Sequence, residues 1–135
     1  MIVVDTNIIS YVYLASPYAQ QAEQALCKDA HWVAPYLWRS EFRNVLAQYL
    51  RHNRLSLTDA QQIMDAALHL MQGREYNIAS THILKLVAQS PCSAYDCEFV
   101  ALAQDLNAPL VTLDKQILRQ FPEIALSLET FTVHP

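Results

Sequence analysis

The stretch Met1-Ile2-Val3-Val4-Asp5-Thr6-Asn7 decides the fold. Four apolar residues, of which three are β-branched, lead directly into an acid, and this predicts a fully buried parallel strand with Asp5 at its carboxyl end. Ligands of open α/β sheets bind in the crevice beyond the carboxyl ends of the strands. Because a charge at the tip of a buried strand needs compensation, Asp5 either belongs to a site or caps the following helix.

Length and composition exclude several classes of protein. The 135 residues, with 53% apolar side chains, predict one globular domain that spans 1–135. A formal net charge of −4 argues against a simple DNA-binding module. The single glycine, Gly73, excludes the glycine-rich phosphate loops of P-loop and dinucleotide-binding folds.

The cysteines and the apolar runs predict where the protein works. Three cysteines without C-x-x-C spacing fit neither a disulfide framework nor a zinc site. No run of the sequence approaches the ~20 apolar residues that span a membrane. We therefore expect a cytoplasmic protein with reduced thiols and no membrane segment.

Hydrophobic periodicity and chain breakers predict alternating strands and helices. Strands are predicted over 1–5, 31–34, 76–78 and 109–113, and a last one at either 124–128 or 131–133. Helices are predicted over 8–15, 17–28, 36–52, 57–72, 81–89, 93–107 and 115–120. We expect Pro17 at a first helical position, Gly73 as a C-cap and Tyr95 on an inward helix face. The alternation predicts a three-layer α/β/α sandwich with a mainly parallel central sheet.

Four acids occupy matching positions in this scheme. Asp5 and Asp114 each follow a strand, Glu41 lies at the inward face of its helix, and Asp96 lies in a first helical turn. Each has an ordinary explanation, since Asp5 and Asp114 would cap the next helices, Glu41 could pair with an arginine, and Asp96 has capping-box spacing from Ser93. In a parallel sheet, however, strand carboxyl ends and helix N-termini lie on one side, which brings all four acids toward one crevice.

Carboxylates crowded in such a crevice predict a metal site. Like charges in a poorly solvated pocket cannot all stay ionised, and a divalent cation removes the conflict. All-oxygen ligation suits Mg²⁺ or Mn²⁺, which can acidify a bound water and clamp a phosphodiester. The residues therefore predict metal-dependent phosphoryl chemistry, with the same four side chains as catalytic and metal-binding groups: Asp5, Glu41, Asp96 and Asp114.

Four blocks of sequence, in order, resemble the PIN-domain ribonucleases. They are Asp5-Thr6-Asn7 after the apolar strand, Ala34-Pro35 followed by Ser-Glu-Phe-Arg-Asn-Val-Leu at 40–46, the stretch from Ser93 to Ala103, and Leu-Val-Thr-Leu-Asp at 110–114. The resemblance covers nearly the whole chain. It is closest to the VapC-type toxins of toxin–antitoxin pairs.

This resemblance implies a Mg²⁺- or Mn²⁺-dependent endoribonuclease in which the four acids hold the metal. It places Thr6, Asn7 and Thr112 at polar positions that support the acids, although helix capping explains Thr6 and Asn7 equally well. It also implies an RNA substrate, a homodimer and a small antitoxin that occupies the site. The apolar helices at 60–71 and 81–89 are candidate docking surfaces, with intramolecular packing as the slightly favoured alternative.

Basic side chains are the candidates for holding RNA. Arg39, Arg43, Lys115 and Arg119 are suited to phosphate contacts, and Lys115 and Arg119 adjoin the fourth acid. Exposed ion pairs explain each of them at least as well.

Three other functions remain open. A haloacid-dehalogenase-like phosphatase also groups acids around Mg²⁺, but it needs an aspartate where this chain has Asn7. A phosphotransfer receiver needs its phosphorylated aspartate on a central strand, and neither Glu41 nor Asp96 fits that position. A PIN-like fold that has lost its activity would be a non-enzymatic binding module, and the presence of all four acids argues against it.

Overall fold

The computed structural model describes residues 1–133, so His134 and Pro135 lie outside the described residues. The strands in this part of the chain are β1 Ile2–Val4, β2 Trp32–Pro35, β3 Glu75–Tyr76, β4 Leu110–Thr112 and β5 Ala125–Ser127. The helices are α1 Thr6–Tyr13, α2 Ala19–Lys28, α3 Leu37–Arg51, α4 Leu57–Leu70, α5 Ser80–Gln89, α6 Ala94–Leu106, α7 Lys115–Gln120 and α8 Leu128–Val133.

All five strands run parallel in the order β3-β2-β1-β4-β5. The central strand is β1, where Val3 is paired with Val33 of β2 on one side and with Leu110 of β4 on the other. From β1 the chain moves outward to β2 and β3, whereas from β4 it moves outward to β5. The winding therefore reverses between β1 and β4, and this reversal opens a crevice at their carboxyl ends.

Helices cover both faces of the sheet. Right-handed crossovers place α1 to α4 on one face and α5 and α6 on the other. The contacts agree, because α1 packs against α2, α3 and α4, while α6 packs against α5 and against β1, β2 and β4. The predicted three-layer α/β/α sandwich is confirmed. No helix within residues 1–133 combines the length and the apolar character needed to cross a bilayer.

Large aromatic side chains fill the core. Trp32 of β2 and Trp38 and Phe42 of α3 are fully buried, and Phe99 is 2% exposed on α6. Burying an apolar side chain of this size stabilises the fold by about 1.5–3 kcal/mol relative to leaving it in water. These contacts hold α3 and α6 firmly against the sheet edge where the acids lie.

The apolar residues of α4 and α5 pack mostly within the molecule. Ala67, Met71 and Leu86 are buried, and Ile83 is half-buried, whereas Leu84 is 63% exposed. The alternative of intramolecular packing therefore applies to most of the residues that were candidates for a docking surface.

Two predicted helix ends are wrong. Helix α2 begins at Ala19, because Ser16 and Pro17 form a turn in which Ser16 accepts hydrogen bonds from the backbone N–H groups of Tyr18 and Ala19. Helix α4 ends at Leu70, and Gly73 follows three residues later with φ +77°. A left-handed φ favours glycine, which lets the chain turn sharply into β3.

Two predictions based on apolar patterning are also wrong. Residues 131–133 lie in helix α8, so the last strand is the other candidate, near 124–128. Periodicity cannot distinguish a strand from a helix in so short a run, and here packing of α8 against α2 decides. Tyr95, which was expected inward, is 62% exposed because the first turn of α6 projects toward the cleft beyond the sheet edge.

Candidate active site

The carboxyl ends of β1 and β4 border a cleft of about 270 Å³. Asp5 follows β1 and Asp114 follows β4, so the two acids stand on neighbouring strands where the winding reverses. The second turn of α3 brings in Glu41, and the first turn of α6 brings in Asp96. The structure thus gathers the four acids that the sequence places at positions 5, 41, 96 and 114 into one cleft.

Asp5 caps α1 and faces the cleft at the same time. Its Oδ1 accepts a hydrogen bond from the backbone N–H of Thr6 at 2.8 Å, and its Oδ2 accepts one from Oγ1 of Thr112 at 2.8 Å. Burial raises the pKa of Asp5, the bonds from Thr112 and Thr6 lower it, and the charges of Asp96 and Asp114 raise it again. The two explanations offered by the sequence, a helix cap and a member of a site, therefore apply together.

Glu41 is fixed by the residue that follows Asp5. Oγ1 of Thr6 donates a hydrogen bond to Oε1 of Glu41 at 2.7 Å across 35 positions of sequence. Burial raises the pKa of Glu41, the hydrogen bond from Thr6 lowers it, and repulsion from Asp5 and Asp96 raises it. Thr6 is itself buried, so it connects α1 rigidly to the acid on α3.

Asp114 and Asp96 also combine capping with a place in the cleft. Oδ1 of Asp114 accepts hydrogen bonds from the backbone N–H groups of Gln116 and Ile117 in the first turn of α7. The backbone N–H of Asp96 donates to Oγ of Ser93, the N-cap of α6. Burial raises the pKa of Asp96, and so does the nearby charge of Asp114. The helix caps predicted for both acids are present, and they leave the side chains at the cleft.

Thr112 ties the two strand-end acids together. It is fully buried, donates from Oγ1 to Asp5 and accepts at the same oxygen from the backbone N–H of Asp114 at 3.0 Å. Asn7 and Asn44 are exposed residues on the wall of the cleft. The sequence alone did not single out Asn44, although its spacing of three residues from Glu41 on one helix was a usable signal.

The cleft has a deficit of positive charge. Among the described residues that line it, four are carboxylic acids and no lysine, arginine or histidine is present. The pKa values of Asp5, Glu41 and Asp96 are raised, since burial and mutual repulsion both disfavour their ionised forms. Within residues 1–133, no group of three or more His, Cys, Asp or Glu side chains forms a ready-made metal site.

The four basic residues predicted to contact RNA have different surroundings in the structure. Arg39 makes a two-pronged ion pair with Glu75 at 2.5 and 2.6 Å, which holds it at the edge strand β3. Arg43 contacts Oγ of Ser40 at 3.1 Å on α3. Lys115 and Arg119 are exposed on α7, the helix that Asp114 caps. Arg39 is therefore engaged in an ion pair, whereas Lys115 and Arg119 lie on the helix that follows the fourth acid and do not line the cleft.

Comparison with known proteins identifies the family. The family model described as PIN domain matches residues 2–124, nearly the whole chain. The chain belongs to the PIN domain family. A curated relative of this PIN domain, Ribonuclease VapC3 of Pyrobaculum aerophilum, is 25% identical over 127 residues, which cover 91% of this chain and 96% of the relative.

Two solved structures share the fold of this PIN domain. The crystal structure of PAE2754 from Pyrobaculum aerophilum aligns with a TM-score of 0.76 at 18% identity, over 97% of this chain and 92% of that one. A chain of a toxin–antitoxin complex from Klebsiella pneumoniae aligns with a TM-score of 0.66 at 16% identity, over 95% and 98%. The parallel α/β architecture is therefore that of PIN-domain proteins.

The raised pKa values predict how the stability of this PIN domain depends on pH when chelator removes divalent ions. Asp5, Glu41 and Asp96 keep protons in the folded state at pH values where the unfolded chain has lost them. Protonation of these three groups therefore favours the folded state. The gain in unfolding free energy is complete below the ordinary pKa values of 3.8 and 4.5, and it is lost as the pH rises through the raised values. Urea denaturation in EDTA measures this dependence.

The variant Asp96→Asn isolates the effect of one carboxylate charge on stability. It removes a repelling charge from the cleft, so it should be more stable than the wild type at pH 7. The difference should disappear near pH 4, where Asp96 of the wild type becomes protonated. The carboxyls of Asp29 and Glu75, whose pKa values are lowered, act in the opposite direction but are common to both proteins. Parallel curves for wild type and variant across this range would contradict the expected repulsion.

Proposed function

We propose that this protein is a Mg²⁺- or Mn²⁺-dependent endoribonuclease, the toxin of a toxin–antitoxin pair, which works in the cytoplasm as a single PIN-like domain. The observation that carries the proposal is the cleft at the winding reversal, where Asp5, Glu41, Asp96 and Asp114 meet without a cationic side chain among the described lining residues. The relative named Ribonuclease VapC3 and the fold shared with a chain of a toxin–antitoxin complex support it.

The chemistry of the donors fits a hard divalent ion. Oxygen ligands suit Mg²⁺ and Mn²⁺, and Mg²⁺ keeps several waters and usually binds through one or two carboxylates. A site with fewer than three protein ligands in direct contact is therefore ordinary for this ion. We assign Asp5, Glu41, Asp96 and Asp114 as the residues that hold it, some in direct contact and the others through the waters that the ion keeps. When bound, the ion supplies positive charge for the phosphate and lowers the pKa of a coordinated water.

The chain's own residues hold the acids in place before any ligand arrives. Thr6 and Thr112 donate hydrogen bonds to Glu41 and Asp5, so these carboxylates have fixed orientations. Such orienting partners keep ligands positioned and tune their basicity. Asn7 extends the polar wall of the cleft, where its amide could bind a water or a phosphate oxygen.

RNA must reach an acidic cleft on an acidic protein, so basic residues near it matter. Lys115 and Arg119 on α7 are the best-placed phosphate contacts, and Arg43 on α3 is a further one. We assign Arg39 to its ion pair with Glu75 instead. Binding through α7 should weaken as salt concentration rises, because phosphate contacts release counterions.

A small antitoxin and a second copy of the chain are the proposed partners. An apolar groove of about 190 Å³ between α3 and α4 supports a protein partner, and it is lined mainly by Leu46, Leu50, Leu57 and Met64. Leu57 is 62% exposed at its edge. The exposed Leu84 on α5 is available for contact between two copies. Single exposed apolar residues are common, so the groove is the stronger of the two observations.

The experiment that tests the proposed function combines purified protein with end-labelled single-stranded and structured RNAs. We expect cleavage with Mg²⁺ or Mn²⁺, none with excess EDTA, and recovery when the ion is restored. Expression in cells should slow growth, and Asp5→Asn should relieve the effect. If no RNA is cut with any divalent ion and the wild type is as harmless as the variant, the proposal fails; phosphatase activity on p-nitrophenyl phosphate would favour the alternative chemistry.

A further inference from the structure

A second cavity adjoins the carboxylate cleft. It measures about 390 Å³ and is lined by Leu37, Ser40, Glu41, Asn44 and Tyr95. Glu41 and Asn44 line both spaces, so the two form one continuous surface. A ligand group held in the second cavity would therefore lie beside Glu41, at the border of the carboxylate cleft.

Tyr95 is unusual among the exposed tyrosines of this chain. The ring of Tyr18 packs at a tilt of 41° against the ring of Tyr11, with 5.1 Å between centroids, and the ring of Tyr36 has the guanidinium of Arg39 at 5.3 Å. Tyr95 is 62% exposed, more than either, and its ring has no aromatic or cationic partner among the described residues. A flat aromatic surface is thus presented to solvent one residue before Asp96.

Helix α3 contributes polar side chains to the same cavity. Ser40 and Asn44 are four residues apart on α3, so they share a helix face, and both are exposed. The amide of Asn44 offers a donor and an acceptor, which match the hydrogen-bonding edge of a nucleobase. Leu37 adds an apolar patch to the same cavity. Proteins hold unpaired bases by stacking them on an aromatic ring and by hydrogen bonding to their edges, and this cavity offers a group for each contact.

We propose that this second cavity is a base-binding subsite for single-stranded RNA. Tyr95 stacks on the nucleobase next to the phosphodiester that is cut, and Asn44 contacts the edge of that base. This inference rests on the proposed ribonuclease function and adds a preference for unpaired RNA. Because Tyr95 acts by holding substrate, its contribution belongs to binding and not to the chemical step.

Steady-state cleavage of one RNA with a mapped cut site tests the proposal. Tyr95→Ala should raise KM about tenfold with little change in kcat, the usual cost of losing one base stack. Tyr95→Phe keeps the ring and should behave as the wild type. Val133→Ala is the matched control, since it truncates an apolar side chain on α8 that is 70% exposed and does not line either space. When the RNA carries an abasic residue beside the cut, wild type and Tyr95→Ala should cleave it with the same KM, because there is no base for the ring to hold.

A binding measurement separates this proposal from the nuclease function. A labelled single-stranded RNA is titrated with Asp5→Asn protein in the presence of Mg²⁺, and its fluorescence anisotropy gives the Kd. The same titration is made with the double variant that also carries Tyr95→Ala. A tenfold weaker Kd for the double variant supports the subsite even if the wild type cuts nothing, an outcome that defeats only the nuclease function. Unchanged Kd and KM for Tyr95→Ala overturn the subsite while leaving the nuclease function intact, and a protein partner would then be the better occupant.

Discussion

Replacing Asp5 with asparagine should slow RNA cleavage by at least about 100-fold in a protein that remains folded. Loss of a group that only orients a metal ligand lowers activity or metal affinity by about 10- to 100-fold, and loss of a proposed ligand should cost more. Folding should survive because the amide oxygen can still accept from the N–H of Thr6 or from Thr112. Burial also disfavours the charge of Asp5, so removal of that charge should stabilise the metal-free protein against unfolding.

Single-turnover cleavage at saturating Mg²⁺ and titration with Mn²⁺ measure this effect. The control is Asp65→Asn, which makes the same chemical change on an exposed position of α4 and should leave the rate unaltered. Circular dichroism and thermal unfolding establish that both variants are folded. A folded Asp5→Asn protein that cleaves at the wild-type rate would remove Asp5 from the proposed machinery.

Replacing Thr112 with valine should impair both stability and cleavage. The change keeps the shape of a fully buried side chain but removes the hydroxyl that donates to Asp5 and accepts from the N–H of Asp114. Leaving a buried N–H without a partner costs about 1–3 kcal/mol in unfolding free energy. Asp5 also loses a hydrogen bond that lowers its pKa, so that pKa should rise further. Cleavage should slow about 10- to 100-fold because Asp5 is no longer oriented.

Urea denaturation and cleavage assays with two further variants test this account. Thr112→Ser keeps the hydroxyl and should recover most of the activity, with a smaller loss of stability from the missing methyl group. Thr81→Val makes the same substitution at an exposed position of α5, where the change should stay within about 0.5 kcal/mol. If Thr112→Val is as active as wild type, the threonine has a packing role only.

Elements with strong local signals were predictable from sequence. The β-branched run before Asp5, the Ser93 cap of α6 and the apolar stripe that contains Trp38 and Phe42 each lie where their patterns indicate. Caps and stripes act through residues a few positions apart, so one sequence contains the information. The exposed Tyr95 was missed because helical spacing says which residues share a face but not whether anything covers the first turn.

The partners of polar groups were harder to predict than their positions. Arg39 was a candidate for phosphate contact, yet it binds Glu75, whose side chain is only 5% exposed and also accepts from the indole N–H of Trp38. Glu75 lies 36 positions away and becomes a neighbour only when β3 pairs with β2. No local pattern connects two such residues.

The sequence by itself determined the alternation of strands and helices, the burial of the sheet and the placement of acids at strand ends and helix starts, because these depend on side chains within one or two turns. Only the tertiary structure decided that Asp5 accepts a hydrogen bond from Thr112, 107 positions away, and that Glu41 accepts one from Thr6, 35 positions away. Parallel pairing of β1 with β4 brings the first pair together, and packing of α1 against α3 brings the second. Both depend on long-range contacts between elements that are separated in the chain and adjacent in the fold.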